Sequence, residues 1–234
     1  MPKKTRQPPA RTRHHTNPLA NRLKIKFENF WNKKHVIIDI GSYQWEFGQS
    51  LLHKFWNKKN FILFEIRDAF CKYLKDKFQE NSNVKVFNGN AWTNIPQVLE
   101  KLQKQWVFVE KIFINFPDPW VKKKHLKRRV VNEQFLTDIY PFLDKKTQII
   151  FQTDQKHMFF DTRKLVKKIG TYKIRYFFWP IWGLRTHWEK ERRKAGKFIW
   201  RMKLIKKIGS NQSRFEKERK KSIIDSFIGT LFYF

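Results

Sequence analysis

From Ile25 onward the chain alternates short apolar runs with longer, mixed stretches. The runs Val36–Ile40, Phe61–Ile66, Val84–Phe87, Ile112–Phe116 and Gln148–Phe151 are compatible with buried strands. Between and after them, Glu46–Phe55, Asp68–Glu80, Asn132–Leu143 and His157–Lys168 are compatible with helices. Strand and helix repeated in this order predict an α/β fold, a mostly parallel sheet with helices on both faces. After Gly170 the pattern changes. Two further strand-like runs, Tyr172–Phe178 and Phe198–Ile205, flank a basic loop with no comparable helix, so the sheet is expected to end in an antiparallel pair.

Pro8, Pro9 and Pro18, with the basic residues between them, predict an unpacked arm. The expected organisation is a basic flexible arm over 1–24, a folded domain over 25–206 and a basic, apolar C-terminal extension over 207–234. The first 24 residues hold seven Lys or Arg, two His and no acid, but lack the apolar segment of a secretory signal. An RNA-contacting arm is the first reading and an organelle transit peptide the second.

Charge sharpens this picture. The 51 Lys and Arg against 20 acids give a formal charge of +31, which draws nucleic acid or an anionic membrane to the protein. A Lys-rich and Phe-rich composition can reflect drift in an AT-rich genome, but drift does not explain ten Trp or the clustering of charge. Cys71 is the only cysteine, which excludes a disulfide framework within one chain and suits a reducing compartment, the cytoplasm by default. The C-terminal Ser222–Phe234 is too short to span a membrane and is expected to dock on the body. The seven His show no metal-binding spacing, so no metal is expected.

The chemistry gathers at the ends of the apolar runs, where an open α/β sheet binds its ligands. Asp39 lies near the end of the first run, Glu65 near the end of the second, Asn90 follows the third, Asp118 the fourth and Asp154 the fifth. Each alone would more often be a turn or a helix cap. Together they put four of only twenty acids along one edge. Glu65 comes 24 residues after Gly41, near the separation at which a second-strand acid meets the ribose of a bound nucleoside. No phosphate-binding loop of the P-loop type occurs, which disfavours ATP and GTP chemistry. Asp118 lies between Pro117 and Pro119, which restrict the backbone on both sides of it. Next comes a cationic strip with six Lys or Arg in eight residues: Lys122, Lys123, Lys124, Lys127, Arg128 and Arg129. A positioned carboxylate beside a phosphate-binding strip suggests chemistry on a nucleic acid.

From about Val36 to Trp200 the chain resembles the tRNA (guanine-N(7)-)-methyltransferases. The resemblance rests on FPDPW followed by KKKHLKRRVV, on QTD at Gln152–Asp154, and on THWE at Thr186–Glu189 with Gly196 beyond it. It implies a Rossmann-like class I methyltransferase fold, S-adenosylmethionine as cofactor, tRNA as partner and a variable-loop guanine, position 46, as target. By the same resemblance Asp39, Gly41, Glu65, Asn90 and Asp118 contact the cofactor, and Asp118 lies at the reaction centre. Lys122 and Asp154 match substrate positions, Thr186 and Glu189 match a segment closing over the target nucleotide, and Lys123, Lys124, Lys127, Arg128 and Arg129 would follow the RNA backbone. The sequence departs from the family where Tyr43 and Trp45 replace glycines of the cofactor loop, and where Phe64 precedes the second acid. That departure keeps an alternative open, a noncatalytic tRNA-binding protein derived from this fold. A monomer and a homodimer are both compatible with the sequence.

Overall fold

The computed structural model describes residues 35–207 apart from 44–45 and 56–57. The arm over 1–24, Trp45, the basic run Lys217–Lys221 and the segment Ser222–Phe234 lie outside the described residues.

Alternation of side chains explains why the apolar runs are strands. In β1 (His35–Ile40), Val36, Ile38 and Ile40 enter one core while Ile37 enters the other. β2 (Asn60–Glu65) splits the same way, with Ile62 and Phe64 on one side and Phe61 and Leu63 on the other. Both faces are dry, which is the condition for a parallel sheet under two helical layers. β3 (Val84–Asn88), β4 (Phe108–Asn115) and β5 (Gln148–Thr153) complete the parallel part. β6 (Tyr172–Tyr176) and β7 (Trp200–Lys206) form the expected antiparallel pair, and β7 also runs antiparallel to β5. The order is β3-β2-β1-β4-β5-β7-β6, so the sequence of strands reverses between β1 and β4, where an α/β sheet opens a crevice.

One face is covered by α3 (Ala91–Lys104), α4 (Glu133–Ile139) and α5 (Lys156–Ile169). The other is covered by α1 (Glu46–Phe55), α2 (Asp68–Lys77) and an irregular segment that adds Phe177, Ile181, Trp182 and Leu184. Burying each large apolar side chain contributes about 1.5–3 kcal/mol, so the strands' Ile, Phe and Leu dominate the stabilisation.

Three elements differ from expectation. The helix α3 is absent from the sequence reading, and Pro96 lies in its interior, where its ring removes the hydrogen bond to the carbonyl of Trp92. Ile95, Val98, Leu99 and Leu102 nonetheless recur at helical spacing and are buried, and that apolar stripe outweighs the lost bond. The basic loop between β6 and β7 also contains a helix, α6 (His187–Lys194). Its signal is Thr186-x-x-Glu189, the pattern of a helix N-terminus, and Thr186 Oγ1 accepts the Glu189 N–H at 3.0 Å. In α4 the predicted helix stops early because Pro141 cannot continue the ladder, and Tyr140–Phe142 form a 3-10 turn.

Candidate active site

The carboxyl ends of the parallel strands bring Asp39, Glu65, Asn90, Asp118 and Asp154 to one edge. Asp39 is 5 % exposed at the end of the central strand. Beyond it the backbone of Gly41 turns left-handed, with φ 76°, and the N–H groups of Gly41 and Ser42 both donate to the Phe64 carbonyl, at 2.9 and 3.1 Å. The Ser42 hydroxyl donates back to the Asp39 carbonyl at 3.1 Å. These bonds peel the chain off β1 and hook it onto β2. A Cβ on Gly41 would meet nothing within 4 Å, so the loop leaves room on that side.

Tyr43 stands where a glycine is expected, yet its backbone keeps a glycine-like conformation, φ 48°. Left-handed backbone costs an L-residue about 1–2 kcal/mol. Tyr43 offsets that cost: its N–H donates to Glu65 Oε2 at 2.8 Å, and its ring lies 4.4 Å from Phe70 and 5.0 Å from the Arg67 guanidinium. The loop therefore retains its course with a bulky residue in it. Phe64, the other departure, sends its ring into the core beside Phe87 and away from the loop.

Glu65 is 1 % exposed and accepts from four donors. Besides the Tyr43 N–H these are the Arg67 N–H at 3.0 Å, Arg67 Nε at 2.8 Å and Arg67 Nη2 at 3.0 Å. Burial presses the Arg67 guanidinium down, but its hydrogen bonds to Glu65 and the nearby charges of Glu65 and Asp118 leave it raised. Arg67 thus links the second-strand acid electrostatically to the loop after β4. The sequence reading missed it; its signal is a cation two residues beyond the strand-end acid. Asn90, at the third strand end, is the N-cap of α3 and accepts the Trp92 N–H at 2.9 Å.

Asp118 is exposed, and its loop is held by more than the two prolines. Phe116 and Trp120, on either side of Pro117-Asp118-Pro119, both have left-handed backbones, φ 48° and 41°. The Phe116 N–H donates to the Gln152 carbonyl at 2.8 Å. Arg129 Nε donates to the Pro119 carbonyl at 2.8 Å, and Arg129 Nη1 pairs with Asp161 at 2.9 Å. Arg129 is 7 % exposed, so this member of the strip anchors the Asp118 loop and does not face the solvent. Arg128 stacks 5.0 Å from the Trp120 ring. Lys122, Lys123, Lys124 and Lys127 are exposed. At the base of the loop, Asn115 Nδ2 donates to Asp39 at 3.4 Å, while Asn115 Oδ1 is a buried acceptor with no hydrogen-bond partner.

The fifth strand end meets α6. Arg192 Nε bonds Asp154 at 2.6 Å, and His187 Nδ1 lies 3.3 Å from Glu46 at the start of α1. Helix α6 therefore bridges β5 and α1, the helix that follows the Gly41–Tyr43 loop. Glu189 is fully buried, and its Oε1 accepts from Arg201 and from Arg193 at 3.0 Å, while Oε2 is buried without a partner. Arg201 is 2 % exposed, and it also bonds Gln152 at 3.1 Å and the Phe178 carbonyl at 2.9 Å. Burial pushes its pKa down and Glu189 pulls it back, so two desolvated charges stabilise each other. Lys122 and Thr186 stay apart in role: Lys122 precedes the exposed 3-10 turn Lys123–Arg128 without a side-chain cap bond, and Thr186 caps α6.

The edge thus presents hydrogen-bond acceptors at Asp39, Asn115 Oδ1 and Glu65 and a capped polar turn at Asn90. This acceptor-rich set fits a nucleoside that carries hydroxyls and a positively charged amino group. Among the described residues no cluster of three His, Cys, Asp or Glu could hold a metal ion, and no helix is long and apolar enough to cross a membrane.

Comparison with known proteins supports the same chemistry. The family profile described as "Putative methyltransferase" matches residues 33–179. A tRNA (guanine-N(7)-)-methyltransferase of Prochlorococcus marinus (strain MIT 9215) is 33% identical over 160 residues, which are 63% of this chain and 73% of the relative. Another, of Clostridium botulinum (strain 657 / Type Ba4), is 29% identical over 165 residues, 64% of this chain and 72% of the relative. Among solved structures the METTL16 MTase domain matches with a TM-score of 0.50 at 15% identity, covering 73% of this chain and 59% of that one, a likeness of fold.

Proposed function

The chain belongs to the tRNA (guanine-N(7)-)-methyltransferase family, and on that premise we propose that it methylates nitrogen 7 of a variable-loop guanine, position 46, in tRNA. The observation that carries the reading is the Asp118 loop: a carboxylate on a pinned backbone, within electrostatic reach of Arg67, beside exposed lysines. S-adenosylmethionine supplies an electrophilic methyl group on a positively charged sulfur. Asp39 and Asn115 are the groups to hold its amino end, and Glu65 its ribose, exchanging the Arg67 side chain for the hydroxyls. Asn90 and the first turn of α3 would border its adenine.

Nitrogen 7 carries an in-plane lone pair, so the protein needs no base to expose it. Its residues must align the guanine and stabilise the charge that develops on the purine. Asp118 serves the second task. Asp154, turned toward α6 by Arg192, is the carboxylate on the target side, while Glu189, expected at the target nucleotide, is fully buried against Arg201 and serves to hold α6 in place. Lys123, Lys124 and Lys127 meet the RNA backbone, which positions the substrate without reading its sequence.

Against the noncatalytic alternative, Tyr43 retains the left-handed backbone that the glycine would have supplied, while Trp45, the other replaced glycine, lies outside the described residues. The test is transfer of labelled methyl from S-adenosylmethionine to unmodified tRNA, with chemical cleavage mapping the label. Label at the variable-loop guanine is expected, and Asp118→Asn should lower kcat at least tenfold with tRNA binding intact. Binding without transfer would restore the noncatalytic reading.

A further inference from the structure

Beyond the fifth strand, the same edge of the sheet exposes aromatic rings that no step of the reaction uses. Phe198 is 55 % exposed, Tyr176 51 % and Phe160 38 %. They are packed in one connected group: Phe198 lies 4.7 Å from Trp200, Phe160 5.4 Å from Trp200, and Phe159, beneath them, 5.3 Å from Trp200 and 6.1 Å from Tyr176. Trp200 is opposite Thr153 across the β5–β7 ladder, so the group begins one residue from Asp154. Exposed aromatic surface of this extent is costly in water and marks a contact surface.

Its surroundings decide the partner. Residues 156–160, 172–179 and 197–200, which carry the rings, contain Lys156, His157, Lys173, Arg175 and Lys197 but no Asp or Glu. The nearest acids are engaged, Asp154 with Arg192 and Asp161 with Arg129. Rings fixed by mutual packing, with Arg163 5.9 Å from the Phe160 ring and only basic charges on the segments that carry them, suit bases that stack while their phosphates meet Lys and Arg. An acid-poor surface of this kind suits a polyanion better than a second copy of a chain carrying +31.

We propose that Phe160, Tyr176, Phe198 and Trp200 form a stacking platform for an unpaired nucleotide of the tRNA next to the target guanine. The proposal rests on the tRNA reading above and extends it to a surface outside the basic strip. The test compares wild type, Phe160→Ala/Phe198→Ala and Phe198→Tyr for affinity to an unmodified tRNA transcript across a salt series, for methyl-transfer kinetics, and for mass by light scattering. The double alanine variant should bind the transcript about tenfold or more weakly and raise KM in step, with kcat and the salt slope unchanged, because stacking releases no counterions. Phe198→Tyr should behave as wild type. Unchanged affinity in the alanine variant, or a change of mass in place of affinity, would overturn the platform, the latter in favour of self-association. Absence of methyl transfer by the wild type would instead defeat the proposed reaction, and the affinity comparison would still decide the platform.

Discussion

Arg201 and Glu189 form a fully buried ion pair that ties strand β7 to helix α6, and the same guanidinium holds Gln152 on β5. The Thr186-x-x-Glu189 pattern would ordinarily bring the glutamate back to cap its own helix. Here only the threonine caps, and Glu189 turns inward to Arg201. Two of the three motifs after the strand-end acids, QTD and THWE, are thereby joined through a residue that belongs to neither.

Removing one member of such a pair strands the other in the interior. Arg201→Leu should destabilise the protein by about 3–5 kcal/mol, and Glu189→Gln by less, because a neutral amide can still accept from Arg201. Urea denaturation measures both, and an Arg201→Leu protein as stable as wild type would show that Arg185 and Arg193 suffice for Glu189.

Tyr43 offers a separable test of the cofactor loop. Tyr43→Val places a β-branched residue at φ 48° and discards the ring contacts with Phe70 and Arg67. It should lose about 1–3 kcal/mol of stability and bind S-adenosylmethionine more weakly. Tyr43→Gly relieves the backbone and should bind the cofactor at least as tightly as wild type, which calorimetric titration would read directly.

The basic strip divides into exposed and buried members. Replacing Lys123 and Lys124 by Ala should reduce the slope of log affinity against log salt by about 0.7 for each phosphate no longer neutralised. Arg129→Ala should leave that slope unchanged and instead loosen the Asp118 loop, lowering kcat and costing about 1–3 kcal/mol through the unsatisfied Pro119 carbonyl. Equal slopes for all variants would remove the strip from the RNA interface.

At the opposite edge of the sheet, Glu110 lies between Lys59 and Lys111, whose ammonium groups pack over the Trp182 ring at 5.4 and 4.6 Å. Burial pushes the Glu110 carboxyl up, but hydrogen bonds from Lys59 and Lys111 outweigh it and hold it below its ordinary 4.5. A depressed folded-state value means stabilisation that is complete above 4.5 and is lost as pH falls through the lower folded value. Thermal unfolding from pH 6 to pH 3 should therefore fall less steeply for Glu110→Gln than for wild type, and parallel curves would count against the linkage.

The buried strands, the parallel sheet, its antiparallel end and the edge on which acids collect were legible in the chain itself. Those features follow from local pattern: apolar runs of strand length bury on both faces, and Asp39, Glu65, Asp118 and Asp154 each lie near or just beyond the end of one. Helix α3 was hidden by a single proline, and α6 by charge that masks its capping signal. Neither obstacle is physical once the apolar stripe of α3 and the Thr186 cap are weighed.

Partnership is what only the tertiary structure decided. Arg129 reads as one more cation in a basic strip until Asp161, 32 residues away, and the Pro119 carbonyl close on it. Arg67 and Tyr43 become parts of the Glu65 site only when the chain hooks from β1 onto β2. Arg201 meets Gln152 across a strand pair 49 residues apart in sequence. Hydrophobic periodicity is a property of neighbouring residues and survives in the one-dimensional chain. The identity of the group that satisfies a buried charge depends on which distant segments the fold brings within about 3 Å, and no local pattern encodes that.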